Sequence, residues 1–225
     1  LVVLLAMLIA LQALAVDGML PALDEIAHDF NVVEANRRQL VIGLFLLCAG
    51  AGSLIPGLLA DRFGRKLLMM VTLVFYVVTS FACAFVTSFD LMLVARAVQG
   101  LSTAGLMVLP GAIVRDQFEG DAMARVLSLV SAVFITVPVI APSLGQAVMD
   151  VAGWRWIFVG LGAMGLLMMV WVGLRLPETL HPEFRQEIKP MVLARNMAIA
   201  ATARSAMGYT IGSGLVVGTV FGYVN

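Results

Sequence analysis

Gly57-Leu58-Leu59-Ala60-Asp61-Arg62-Phe63-Gly64-Arg65-Lys66 is a charged decapeptide set between two long apolar stretches. The run before it, residues 39–60, is long enough to cross the hydrocarbon core of a bilayer as a helix rising about 1.5 Å per residue. The cations that follow, Arg62, Arg65 and Lys66, belong on the cytoplasmic side of such a span. A loop that only set topology would account for those cations but not for Asp61. This acid falls at a helix end where the macrodipole is negative, so it calls for a positive group, either the N-terminus of another helix or a loop arginine.

Composition points the same way. Of 225 residues 61% are hydrophobic and 12% charged, with a formal net charge of +0, whereas roughly a quarter of the residues of a soluble domain are charged. The mean hydropathy is +1.02. An integral membrane protein follows, and a nucleic-acid partner does not, because the charges alternate with apolar spans and form no basic patch. Cys48 and Cys83 both lie inside apolar runs and read as small buried thiols. His28 and His181 are near no matching ligand set, so neither a metal nor a cofactor is expected.

The apolar segments are residues 1–19, 39–60, 67–87, 91–114, 126–149, 156–174 and 198–221. All read as helices, because lipid-exposed backbone must satisfy its own hydrogen bonds and these runs are too long for barrel strands. Arg62, Arg65, Lys66, Arg115, Arg125, Arg175, Arg185, Lys189 and Arg195 fall on one set of connections and Arg37, Arg38 and Arg155 on the other. The first set is expected in the cytoplasm, with the amino terminus. Residues 177–197, with Pro177, Glu178, Pro182, Glu183, Glu187 and Pro190, have the composition of a linker between helical bundles. The predicted organisation is therefore a six-helix bundle over residues 1–176, a cytoplasmic linker over 177–197, and a seventh helix within 198–225 that opens a second bundle. Leu1 already lies in an apolar stretch and Asn225 just follows one, so a truncated first helix and a missing carboxy-terminal bundle are expected.

Two charges fall within the first six spans. Asp17 lies near the outward end of the first, where an ionisable group costs about 2.5 kcal/mol or more and is a functional candidate by default; the alternative is a carboxylate that merely reaches the interface. Arg96 lies in the fourth span, and helical spacing puts Arg96, Gln99, Thr103 and Met107 on one face. Such a polar stripe cannot face lipid, and Gln99, Thr103 and Met107 are expected to line a substrate cavity. Arg96 could instead only brace the bundle by bonding to carbonyls, since it does not release its proton. Burial and a neighbouring guanidinium act in opposite directions on a carboxylate, so Arg96 close to Asp17 would tune proton uptake. Pro138, Pro142 and Gly145 in the fifth span should kink it and permit close packing.

Gly57-x-x-x-Asp61-Arg62-x-Gly64-Arg65-Lys66 resembles the loop signature of the major facilitator superfamily, and Arg96-x-x-Gln99-Gly100 resembles its fourth-helix motif. Asp17, with Leu20-Pro21 after it, is similar to the first helix of drug:proton antiporters of the bicyclomycin and chloramphenicol resistance type. Gly18 and Met19 depart from that pattern, in which an apolar residue and an aromatic often stand. The resemblance implies an all-α fold whose six-helix half contains two inverted three-helix repeats. It also implies that Asp17 carries the proton with Arg96 coupled to it. Asp61 would hold a contact between bundles, Gly57 allowing close approach while Arg62, Gly64, Arg65 and Lys66 shape the turn. Pro138, Pro142 and Gly145 partly match an exporter motif, with Val137, Ala141 and Gln146 where glycine often stands.

The reading is a proton-coupled exporter of drug-like molecules in a bacterial inner membrane, with protons, lipid and a small-molecule substrate as its partners. Alternatives are an importer or exchanger of a small metabolite, or a receptor or scaffold that transports nothing. No nucleophile, base or metal set suggests an enzyme. Trp154-Arg155-Trp156 reads as an interfacial aromatic anchor, and Gly214, Gly218 and Gly222 as a helix-packing stripe.

Overall fold

The computed structural model describes residues 1–181, Glu183, Thr202, Met207, Gly208, Ile211, Gly212, Gly214 and Leu215. Arg185, Lys189 and Arg195, most of the expected linker and seventh helix, and Gly218 and Gly222 lie outside the described residues. Two compact units are formed, Leu1–Arg185 and Gln186–Asn225. In the second, the described residues are helical and Met207, Ile211 and Leu215 are exposed.

The first unit is all-helical among its described residues: α1 (Val2–Asp17), α2 (Leu23–Asp29), α3 (Ala35–Gly52), α4 (Leu54–Phe63), α5 (Arg65–Phe85), α6 (Phe89–Gln117), α7 (Gly120–Ala152) and α8 (Arg155–Arg175). Among the described residues five spans are long and apolar enough to cross a membrane, the first running on to Asp29, and α3 with α4 taken together makes a sixth. That sixth span departs from expectation. Residues 39–60 read as one helix, but the axis breaks at Ser53 and bends by 44°. Pro56 is the physical cause, since it has no N–H for the Gly52 carbonyl four residues earlier and its ring crowds that carbonyl. At the break the Ser53 hydroxyl donates to the Gly50 carbonyl at 2.7 Å. Pro138 and Pro142, by contrast, lie within the single helix α7.

The broadest helix contacts are α3 with α6, α5 with α8, α5 with α6, and α1 with α7. Exchanging each of the first three spans for its counterpart among the next three maps the α3–α6 contact onto α7–α1, leaves α5–α8 in place, and maps the α5–α6 contact onto a narrower one between α8 and α1. That is the pairing two inverted three-helix repeats produce. Small residues allow the approach: a side chain at Gly100 of α6 would come within 2.3 Å of the Phe45 carbonyl on α3, and one at Gly165 of α8 within 2.9 Å of Tyr76 on α5.

At one end of the bundle α2 is tied down. Asp29 accepts from the Trp154 indole at 2.9 Å and from Arg155 at 3.0 Å, and Arg38 pairs with Asp24; beside them Arg37 of α3 pairs with Asp90 of α6 at 2.9 Å. Trp154 is 1% exposed, with Phe30 edge-on at 5.9 Å, whereas Trp156 is 56% exposed. The anchor reading therefore suits Trp156 only. Trp154 is a buried brace, because its N–H has a carboxylate to satisfy it.

Candidate functional site

Arg96 is fully buried in α6, and the described residues include no acid within ion-pairing distance of it. Its charge is met by oxygen dipoles instead. Nε donates to the Val41 carbonyl of α3 at 3.2 Å, Nη1 to Gln99 Oε1 at 2.7 Å, and Nη2 to the Ala15 carbonyl of α1 at 3.0 Å. The Phe45 ring lies 4.2 Å from the guanidinium carbon. Three charge-assisted bonds at about 1.5–3 kcal/mol each offset a burial cost of several kcal/mol.

The Ala15 bond has an electrostatic meaning. α1 ends at Asp17, so Ala15 belongs to its last turn, at the negative pole of the helix. Arg96 thus caps α1 from another helix. The structure does not pair Arg96 with Asp17 directly, as proximity tuning envisaged; it joins them through two residues of α1 backbone. Asp17 is 7% exposed. Gly18 follows it, and a side chain on Gly145 of α7 would come within 1.9 Å of the Gly18 carbonyl. Gly145 therefore lets α7 lie against the backbone that carries Asp17.

Gln99 links Arg96 onward to α5. Its Nε2 donates to Ser80 Oγ at 2.7 Å, and the Ser80 hydroxyl donates to the Tyr76 carbonyl at 2.7 Å. The Tyr76 hydroxyl in turn donates to the Leu11 carbonyl of α1 at 3.2 Å. Leu11 and Ala15 are one turn apart, so one face of α1 is held at two points. Thr103 is fully buried and its hydroxyl donates to the Gly100 carbonyl at 2.8 Å. Of the expected stripe, Arg96, Gln99 and Thr103 are sealed inside the bundle, while Met107 is 49% exposed.

A second cluster lies where α4, α6 and α8 end and α5 begins. Arg65 bridges two acids, Nη1 to Asp61 at 2.6 Å and Nε to Asp116 at 3.0 Å. The positive group that Asp61 calls for is thus the loop arginine one turn on. Asp116 also accepts from the Thr179 hydroxyl at 3.1 Å. Glu178 accepts from the backbone N–H groups of Arg65 at 2.8 Å and Lys66 at 3.3 Å, capping α5 from beyond the end of α8. Lys66 Nζ returns the contact by donating to the Gly173 carbonyl at 2.9 Å, and Arg62 stacks on Phe63. Gly64 has φ +103°, and a side chain there would meet the Glu178 carboxylate. Gly57 has only Val108 within reach, at 4.0 Å.

A family model for the Major Facilitator Superfamily matches residues 5–224. The chain belongs to the Major Facilitator Superfamily. It is 30% identical over 220 residues to a bicyclomycin resistance protein homolog of Haemophilus influenzae, covering 98% of this chain and 55% of that one. An uncharacterized MFS-type transporter of Bacillus subtilis, YdgK, is 33% identical over 99% of this chain and 56% of its own length. The multidrug resistance protein MdtL of Klebsiella pneumoniae is 35% identical over 78% of this chain and 45% of its own. The chain thus spans about half the length of these relatives. Its fold matches the human organic anion transporter MFSD10 with a TM-score of 0.61 at 22% identity, over 82% of this chain and 49% of that one. The first half of the major facilitator fold is therefore what the described helices form, in an integral membrane protein.

Within this superfamily member, four participants escaped the sequence reading. Asp116 sits in the last turn of α6, so the helix-end argument applied to Asp61 would have found it. Glu178 read only as linker composition. Tyr76 and Ser80 gave no signal, because hydroxyls in an apolar helix satisfy themselves on preceding carbonyls as often as they reach a neighbour.

Proposed function

We propose that the full-length protein is a secondary transporter that exports drug-like molecules in exchange for protons by alternating access in a bacterial inner membrane, with its amino terminus in the cytoplasm. The observation carrying this reading is the capping of α1 by the buried Arg96 beside Asp17. A proton on Asp17 changes the charge at the end of α1, and the same end is gripped by Arg96 and packed on Gly145. Substrate binding then competes with the proton through α1. The driving force is worth about 2.3 kcal/mol per charge per 100 mV, to which a proton gradient adds. The names of the Haemophilus and Klebsiella relatives favour drug-like cargo over a metabolite.

The Asp61–Arg65–Asp116 bridge with the Glu178 cap acts as a latch at the cytoplasmic end, holding the linker against the bundle in one state and letting it go in another. Cells expressing the full-length protein should resist bicyclomycin and exclude tetraphenylphosphonium in a proton-gradient-dependent way, and Asp17→Asn should abolish both at equal abundance. Resistance that persists without a proton gradient, or in Asp17→Asn, would remove the antiport reading.

A further inference from the structure

Gln12 is 7% exposed on α1, and its Oε1 is a buried side-chain oxygen with no hydrogen-bond partner among the described residues. Its Nε2 reaches only the Met107 sulfur of α6, at 3.7 Å. A thioether is a weak acceptor. Turning the amide over would leave the N–H groups unmatched instead, so neither orientation satisfies it. The polar side chains of the Arg96 network are already bonded elsewhere: Arg96 donates to Gln99, Gln99 to Ser80, Ser80 to the Tyr76 carbonyl and the Tyr76 hydroxyl to the Leu11 carbonyl. An unpaired buried polar group costs about 1–3 kcal/mol, which leucine at the same place would not incur.

We propose that Gln12 is a substrate-contacting residue that hydrogen-bonds molecules carrying amide or hydroxyl groups, and that Met107 is its movable cover. Met107 is unbranched and 49% exposed, so its sulfur can swing off the amide while its backbone stays in α6. Withdrawal opens Gln12 to a ligand, whose O–H or N–H meets Oε1 and whose carbonyl meets Nε2. The site lies on α1 between Leu11, bonded to Tyr76, and Ala15, bonded to Arg96, so occupancy is felt by the same turn that carries Asp17. This inference rests on the export reading and adds to it the part of the substrate that is recognised.

The test uses purified full-length protein in proteoliposomes with two probes: bicyclomycin, rich in hydroxyl and amide groups, and tetraphenylphosphonium, which has no hydrogen-bond donor. In Gln12→Leu the ratio of KM for bicyclomycin to KM for tetraphenylphosphonium should rise at least tenfold. Thermal unfolding of the same variant should occur at or above the wild-type Tm, since an unsatisfied group has been removed. A ratio unchanged, with both probes affected alike or neither affected, overturns the role of Gln12, as does a lowered Tm, which would mean that the amide holds the fold. Wild-type protein that moves neither probe overturns the export reading itself and this inference with it.

Discussion

Arg96 Nη2 donates to the carbonyl of Ala15 at 3.0 Å, two residues before Asp17, and so places a fully buried cation on the negative end of α1. The same guanidinium reaches α3 and its own helix, so one side chain ties three helices at the level of the buried carboxylate.

Arg96→Ala should therefore fail in two ways. The carbonyls of Val41 and Ala15 and the amide of Gln99 lose their donor, at about 1–3 kcal/mol for each group left unsatisfied, so thermal unfolding in detergent should come markedly earlier. Transport should be lost as well. Arg96→Lys keeps the charge without the planar fork and should recover part of both; equal behaviour of the two variants would contradict the geometry.

Gly145→Val would place atoms where the Gly18 carbonyl lies, 1.9 Å from the site of a side chain, and should push α7 off α1. Flux should fall at least tenfold with membrane insertion retained. Gly43→Ala is the control, since nothing lies within 4 Å of a side chain there; it should insert and transport as wild type. Normal flux in Gly145→Val would show that the contact is dispensable.

Gly64→Ala combines two penalties, a positive-φ extended backbone that only glycine adopts readily, worth roughly 1–3 kcal/mol, and a collision with the Glu178 carboxylate. Glu178→Ala removes the collision but also the cap on α5. In a double-mutant cycle the two changes should together cost less than their sum, read by thermal unfolding. Strict additivity would place Glu178 away from Gly64.

The spans were legible in the sequence because lipid imposes length and apolarity on each helix separately. What the sequence hid is what depends on distant partners. Glu178 lies 113 residues from the Arg65 N–H it caps, and an acid in a polar linker looks the same whether it caps a helix or faces water. The bend at Ser53 was legible through Pro56 but was masked by the unbroken apolar run around it. Arg96 was found because a buried charge is rare; its partner on α1 is a backbone carbonyl, and carbonyls carry no sequence signal.

Orientation is testable by labelling. In a background with Cys48 and Cys83 replaced by serine, Val33→Cys, exposed at 96%, should react with a membrane-impermeant maleimide in intact cells. Phe63→Cys, exposed beside the latch, should react only after permeabilisation. The reverse pattern would invert the topology and put the latch outside.

The central claim is that Asp17 carries the exchanged proton. It is tested by adding tetraphenylphosphonium or bicyclomycin to purified full-length protein in weakly buffered detergent solution and recording proton release with a pH indicator. Wild-type protein should release protons in a saturable way, and Asp17→Asn should bind the probe and release none. Undiminished release from Asp17→Asn would contradict the account and move the carrier to another acid.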